Sequence, residues 1–167
     1  ENLVTASRAA REASTLDTLM LSLLFGQGRS DHAVLAGVGV PSVFFTDANN
    51  GCYHTVKDDI NAVDFPKLEQ QIRTANALTR DLVATDSVPV FNATAPVSVY
   101  SDAVELLRVV ELAQTDLGLF PPDQQVAIAQ FQLDLQAIVT AGPEAFDAQA
   151  VNTLLVGAAM LVRSLSA

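Results

Sequence analysis

The last two fifths of this chain are punctuated so closely that few folds remain open to them. Gly118, the pair Pro121-Pro122 and the pair Gly142-Pro143 divide residues 99–167 into three stretches. Glycine just past a helix and proline in a first turn are the residues that stop and restart helices. Within each stretch apolar residues recur at helical spacing. The first carries Ala103, Leu106, Leu107, Val110, Ala113 and Leu117, the second Ile128, Phe131, Leu135 and Ile138. The third carries Phe146, Ala150, Leu154, Ala158, Leu161 and Leu165. Each set forms one apolar stripe, and connections this short make the helices antiparallel neighbours in a small bundle. Asp102 with Glu105 reads as a capping box opening the first helix.

Upstream the pattern changes. Residues 3–13 are Ala-rich and amphipathic and read as a helix. Residues 16–25 are an apolar run interrupted only by Asp17, Thr18 and Ser22. Length and flanks suit a buried strand, although periodicity alone does not separate it from a helix. Gly26-Gln27-Gly28 breaks the run, and Ser30 or Asp31 can cap a short helix through Val38. A Gly39-Val40-Pro41 turn leads into residues 42–46, a strand candidate rich in β-branched and aromatic side chains. The turn formers of 47–51 then place Cys52, Tyr53, His54 and Thr55 on a loop at that strand's C-terminal end, where open α/β sheets hold their chemistry. Asp64 can cap a further helix, with Pro66 in its first turn and Phe65, Leu68, Ile72, Ala75, Leu78 and Leu82 at helical spacing. The expected fold is therefore α/β: a mixed sheet flanked by helices over residues 1–85, a linker over 86–98, and an all-α segment over 99–167.

Half of the residues are apolar and 17% are charged, so a core is available. Nine basic residues against nineteen acidic give a formal net charge of −10, which argues against nucleic acid as a partner. From Asp102 onward eight acidic residues face two arginines. That acidic helical tail reads most simply as a solvated bundle, or else as a docking or oligomerisation module. Cys52 is the only cysteine, which excludes an internal disulfide framework and any multi-thiolate zinc site. No basic n-region followed by an apolar h-region opens the chain, so its start reads as a processed or truncated edge with any targeting signal upstream. No membrane span is expected, because the most apolar late stretch, 154–162, is too short. Asn92-Ala93-Thr94 fits the glycosylation sequon, which matters only in a eukaryotic secretory setting.

Two segments carry candidate chemistry. One is Gly28-Arg29-Ser30-Asp31-His32, followed by an apolar helix and the Gly39-Val40-Pro41 turn. The other is Tyr53-His54-Thr55-Val56-Lys57-Asp58, followed by Asp64-Phe65 and a long helix. In this order and separation, residues 1–85 resemble the C-terminal part of M28-type zinc metallopeptidases, which carry a G-R-S-D-H segment, a G-[IV]-P turn into a strand, and Y-H-T-x-x-D. The resemblance implies an aminopeptidase that removes residues from the N-termini of peptide substrates, in an extracellular or periplasmic setting. It also implies two zinc ions about 3.5–4 Å apart. His54 maps onto a zinc ligand and Tyr53 onto the residue whose hydroxyl stabilises the tetrahedral oxyanion. Asp58 maps near that ligand, where a carboxylate can hold the imidazole tautomer. Arg29 maps onto a substrate contact or a partner of a carboxylate, while Asp31 and His32 map onto residues that buttress the pocket.

Two departures are visible. Leu35 stands where the family often has Phe or Trp, and Val56 replaces a frequent Pro. The family's other ligands, a His and Asp pair, a Glu-Glu pair and a further Asp, belong upstream of the matched segment. A catalytic zinc needs three protein ligands, so the 167 residues alone are expected to be inactive. Two other readings stay open at this point. A glutaminyl-cyclase-like acyltransferase shares the fold, but usually has Trp where Tyr53 stands. A non-catalytic peptidase-like interaction domain would tend to lose ligands first.

Overall fold

The structure, a computed structural model, describes residues 2–26, 28, 30–46, 52 and 54–165; the side chains at 2, 23, 24 and 162–165 lie outside that description. The described α-helices are α1 (Asn2–Glu12), α2 (Asp31–Gly37), α3 (Phe65–Ala84), α4 (Tyr100–Ala113), α5 (Pro122–Ala141) and α6 (Ala148–Leu165). They fall into two units. One comprises the described residues of 1–20, 28–48 and 52–95, and the other those of 21–27 and 96–167.

In the second unit α4, α5 and α6 share one core. Prolines 121 and 122 open α5, where a missing N–H costs nothing, and Gly142 ends it at φ 83, a conformation that disfavours any residue with a Cβ. Asp147 Oδ1 accepts from the backbone N–H groups of Gln149 and Ala150 at 2.9 and 3.0 Å and so caps α6. Between the helices lie Ala103, Leu106, Val110, Ile128, Phe131, Leu135 and Leu154, all buried. Fully burying a side chain of the Val, Leu or Phe class contributes about 1.5–3 kcal/mol, so this cluster holds the unit together. The Tyr100 hydroxyl donates to the Val139 carbonyl at 2.9 Å, tying the start of α4 to α5. At Gly157, α6 comes so near α5 that a Cβ would overlap the Phe131 ring.

Asp102 differs from expectation. It occupies the third position of α4, not the cap, and is 1% exposed. Its Oδ2 accepts from Ser98 Oγ at 2.7 Å and from the Val99 N–H at 2.8 Å, while Oδ1 accepts from the Ser22 N–H at 2.8 Å. Glu105 pairs instead with Arg108 Nη2 at 3.3 Å. Asp102→Ala would leave three donors without an acceptor at a cost of about 1–3 kcal/mol each when buried. The variant is expected to lose at least about 3 kcal/mol in urea denaturation followed by circular dichroism. A loss below about 1 kcal/mol would show that water replaces the carboxylate.

In the first unit α1 packs on α3. Asp64 Oδ1 accepts from the Lys67 N–H at 3.0 Å and starts α3 where the sequence places it, with Pro66 in the first turn. The residues just after α1 add polar contacts to α3: Thr74 Oγ1 donates to Ser14 Oγ at 2.8 Å and Thr15 Oγ1 to Gln70 Oε1 at 2.8 Å. Ala10 and Leu78 are buried, whereas Phe65 and Ile72 are 56% and 59% exposed. The N-terminal half of the α3 stripe is therefore uncovered.

The α/β expectation is overturned: among the described residues there is no strand. Residues 42–46 take no regular structure and have no ladder partner among the described residues, and a strand exists only where a second one receives its backbone hydrogen bonds. The apolar run 16–25 ends in a 3-10 turn over Leu23–Gly26, with Leu21 and Phe25 against the helical core. Leu21 and Phe25 find their cover against helices, so their burial needs no sheet. The mixed sheet flanked by helices is absent from the described residues, and α3 rests on another helix. Among them, too, no helix is long and apolar enough to cross a membrane.

Candidate active site

His54 sits in a tight, hydrogen-bonded loop. The Thr55 N–H and Thr55 Oγ1 both donate to the Cys52 carbonyl, at 2.9 and 2.7 Å. Thr55 Oγ1 in turn accepts from the Lys57 N–H at 3.2 Å, and the Asp58 N–H donates to the Thr55 carbonyl at 3.1 Å. Asp59 Oδ1 then accepts from the Asn61 N–H at 2.8 Å, opening the next short turn. One threonine thus holds the loop from both sides. Among the described non-glycine residues, His54 alone has a positive φ, 59°. A side chain in the left-handed region costs backbone energy, and such residues collect at functional sites. The His54 side chain is exposed, as is the whole of 54–65.

His32 stands in the opposite environment. It is the second residue of α2, 4% exposed, and its ring stacks on Phe44 with centroids 4.4 Å apart and planes 19° from parallel. Neither ring nitrogen has a hydrogen-bond partner among the described residues. Ser42 Oγ approaches the His32 carbonyl at 3.5 Å, so α2 and the segment 42–46 meet through this residue. Since a buried polar group without a partner costs about 1–3 kcal/mol, His32→Phe is expected to leave thermal stability unchanged or raise it. A fall in melting temperature of more than about 5 °C would show that the ring nitrogens are bonded after all.

Asp31 is exposed at the start of α2, and Asp58 is exposed and enters the His54 loop through its backbone N–H. Tyr53 and Arg29 lie outside the described residues. Leu35 and Val56, the two departures, are both exposed, Val56 at 98%. Among the described residues no group of three or more His, Cys, Asp and Glu side chains could hold a metal ion. His54 is exposed on its loop and His32 buried in its stack, so the two imidazoles do not share one environment. The described residues therefore do not fit a zinc centre by themselves. Sequence reasoning did not anticipate the positive φ of His54, although a loop this dense in turn formers is where one arises.

Residues 4–79 match the family model of peptidase family M28. No curated protein and no solved structure matches the chain.

Proposed function

We propose, from the premise that residues 4–79 are a portion of an M28-family peptidase, that the chain serves a zinc-dependent aminopeptidase acting on peptide N-termini. The observation that carries the reading is the span of that match, which encloses both the Gly28–His32 and the Tyr53–Asp58 segments in order. In this reading His54 offers a neutral imidazole to a zinc ion, and the hydrogen-bonded turn around Thr55 shapes the backbone that carries it. Tyr53 gives its hydroxyl to the oxyanion that develops on the scissile carbonyl, and Asp58 and Arg29 serve tautomer control and substrate contact. Asp31 and His32 support the pocket wall, His32 by its stack on Phe44. The other metal ligands come from polypeptide beyond these 167 residues, which on their own are inactive. An extracellular or periplasmic setting belongs to the same proposal.

The test is hydrolysis of an aminoacyl chromogenic substrate by the complete polypeptide, with and without a chelator. The expected result is turnover that the chelator abolishes and added zinc restores. Turnover indifferent to chelation would sink the metal dependence, and cyclisation of N-terminal glutamine in place of hydrolysis would transfer the site to acyl-transfer chemistry.

A further inference from the structure

Residues 21–26 lie inside the family-matched stretch, yet they are built into the helical unit. Leu21 and Phe25, four residues apart, pack against the core that contains Leu106, Val110, Phe131 and Leu135. Between them the Ser22 N–H donates to Asp102 Oδ1 at 2.8 Å. That carboxylate is 1% exposed, and its second oxygen is already occupied by Ser98 and Val99. The Phe25 N–H returns to the Ser22 carbonyl at 3.0 Å, closing the turn that sets the two apolar side chains at their spacing. Two apolar anchors flanking a backbone N–H that meets a buried acceptor is the arrangement by which grooves recognise peptides. A segment that merely drifted over the bundle would bring apolar area without a dedicated acceptor. Here one oxygen of a buried carboxylate accepts that backbone donor and would be left a costly orphan without it.

We propose that the helical unit is a docking module whose ligand is the segment 21–26 of the family-matched stretch. Residues 99–167 then hold segment 21–26 by specific recognition and are more than a tail joined through the connection that follows α3. This inference is independent of the catalytic reading, because neither the contacts nor their test involves activity.

A specific protease site placed at residues 86–88, all exposed, allows the folded chain to be cut after purification. Gel filtration at micromolar concentration should then show the two pieces eluting together. Phe25→Ala removes one anchor, and Ser22→Pro removes the N–H donor while keeping both anchors. Each is expected to raise the concentration at which the cut pieces separate by at least about tenfold. Circular dichroism before cutting establishes that each variant is folded, and if one is not, the other carries the test. Pieces of the unsubstituted chain that part on cleavage would overturn the proposal, and so would pieces held equally tightly in both variants.

Discussion

Replacing His54 by Ala in the complete polypeptide is expected to lower aminopeptidase turnover by more than about a hundredfold. Loss of a residue that merely orients a metal ligand already costs roughly 10–100-fold, and a ligand costs more. His54→Gly separates ligation from backbone strain. Glycine accepts φ 59 without penalty, so this variant should fold as well as the parent or up to about 1 kcal/mol better. It should nevertheless be as inactive as the alanine variant. Equal activity in parent and both variants would remove the imidazole from the chemistry. A stability loss in His54→Gly would mean instead that the side chain serves the fold. The two readouts, turnover and denaturation midpoint, are therefore expected to move in different directions for one substitution.

Gly157→Ala is expected to cost the helical unit about 1–3 kcal/mol or more, although alanine is the better helix former by nearly 1 kcal/mol. The added methyl would overlap the Phe131 ring, and Phe131 is 2% exposed with Leu135 and Leu154 packed in the same cluster. The ring has no open side to move into. Either α6 shifts away from α5 or Phe131 leaves its rotamer, and both uncover core. Phe131→Leu makes room at the cost of a smaller core side chain. In combination with Gly157→Ala it should cost less than the two separate losses added together, the sign expected when one substitution relieves the clash of the other. Denaturation midpoints of the four proteins measure the coupling. Additive losses would place the clash elsewhere.

These two sites also mark what the sequence made legible. The bundle was legible because its signals are local: Pro121-Pro122 starts α5, Gly142 ends it, and Ile128, Phe131 and Leu135 lie on one stripe. Asp64 before Phe65-Pro66 located α3 for the same reason. The apolar run 16–25 was not legible, because hydrophobicity says that a segment is buried and not against what. Leu21 and Phe25 went to helices where a sheet was expected. Residues 42–46 have the composition of a strand, but pairing is a property of two segments and cannot be read from one. Asp102 misled in a subtler way. Its distance to Glu105 fits a capping box, whereas its actual role depends on Ser22, eighty positions away. For the candidate site, His54 does lie in a turn, but not at the end of a strand; the turn formers 47–51 lie outside the described residues, and the left-handed backbone of His54 was hidden. The ligand set of a metal site is a matter of convergence in space, and residue types along a line do not report it.

The uncovered face of α3, with Phe65 and Ile72 exposed, fits the same reasoning at the level of packing. An amphipathic helix reports which side seeks cover, and its neighbour must come from elsewhere. In the first unit few apolar side chains are buried, Ala10 and Leu78 among them, and polar pairs of Thr74 with Ser14 and of Thr15 with Gln70 lie beside them. Stability there is accordingly expected to depend less on single apolar truncations than in the helical bundle.

Zinc content of the purified complete polypeptide, set beside that of its His54→Ala variant, bears most directly on the catalytic account. About two zinc ions per chain are expected in the parent, with at least one lost when the imidazole is removed. A parent protein that carries no zinc after loading with the metal, or a variant that retains both ions, would contradict it.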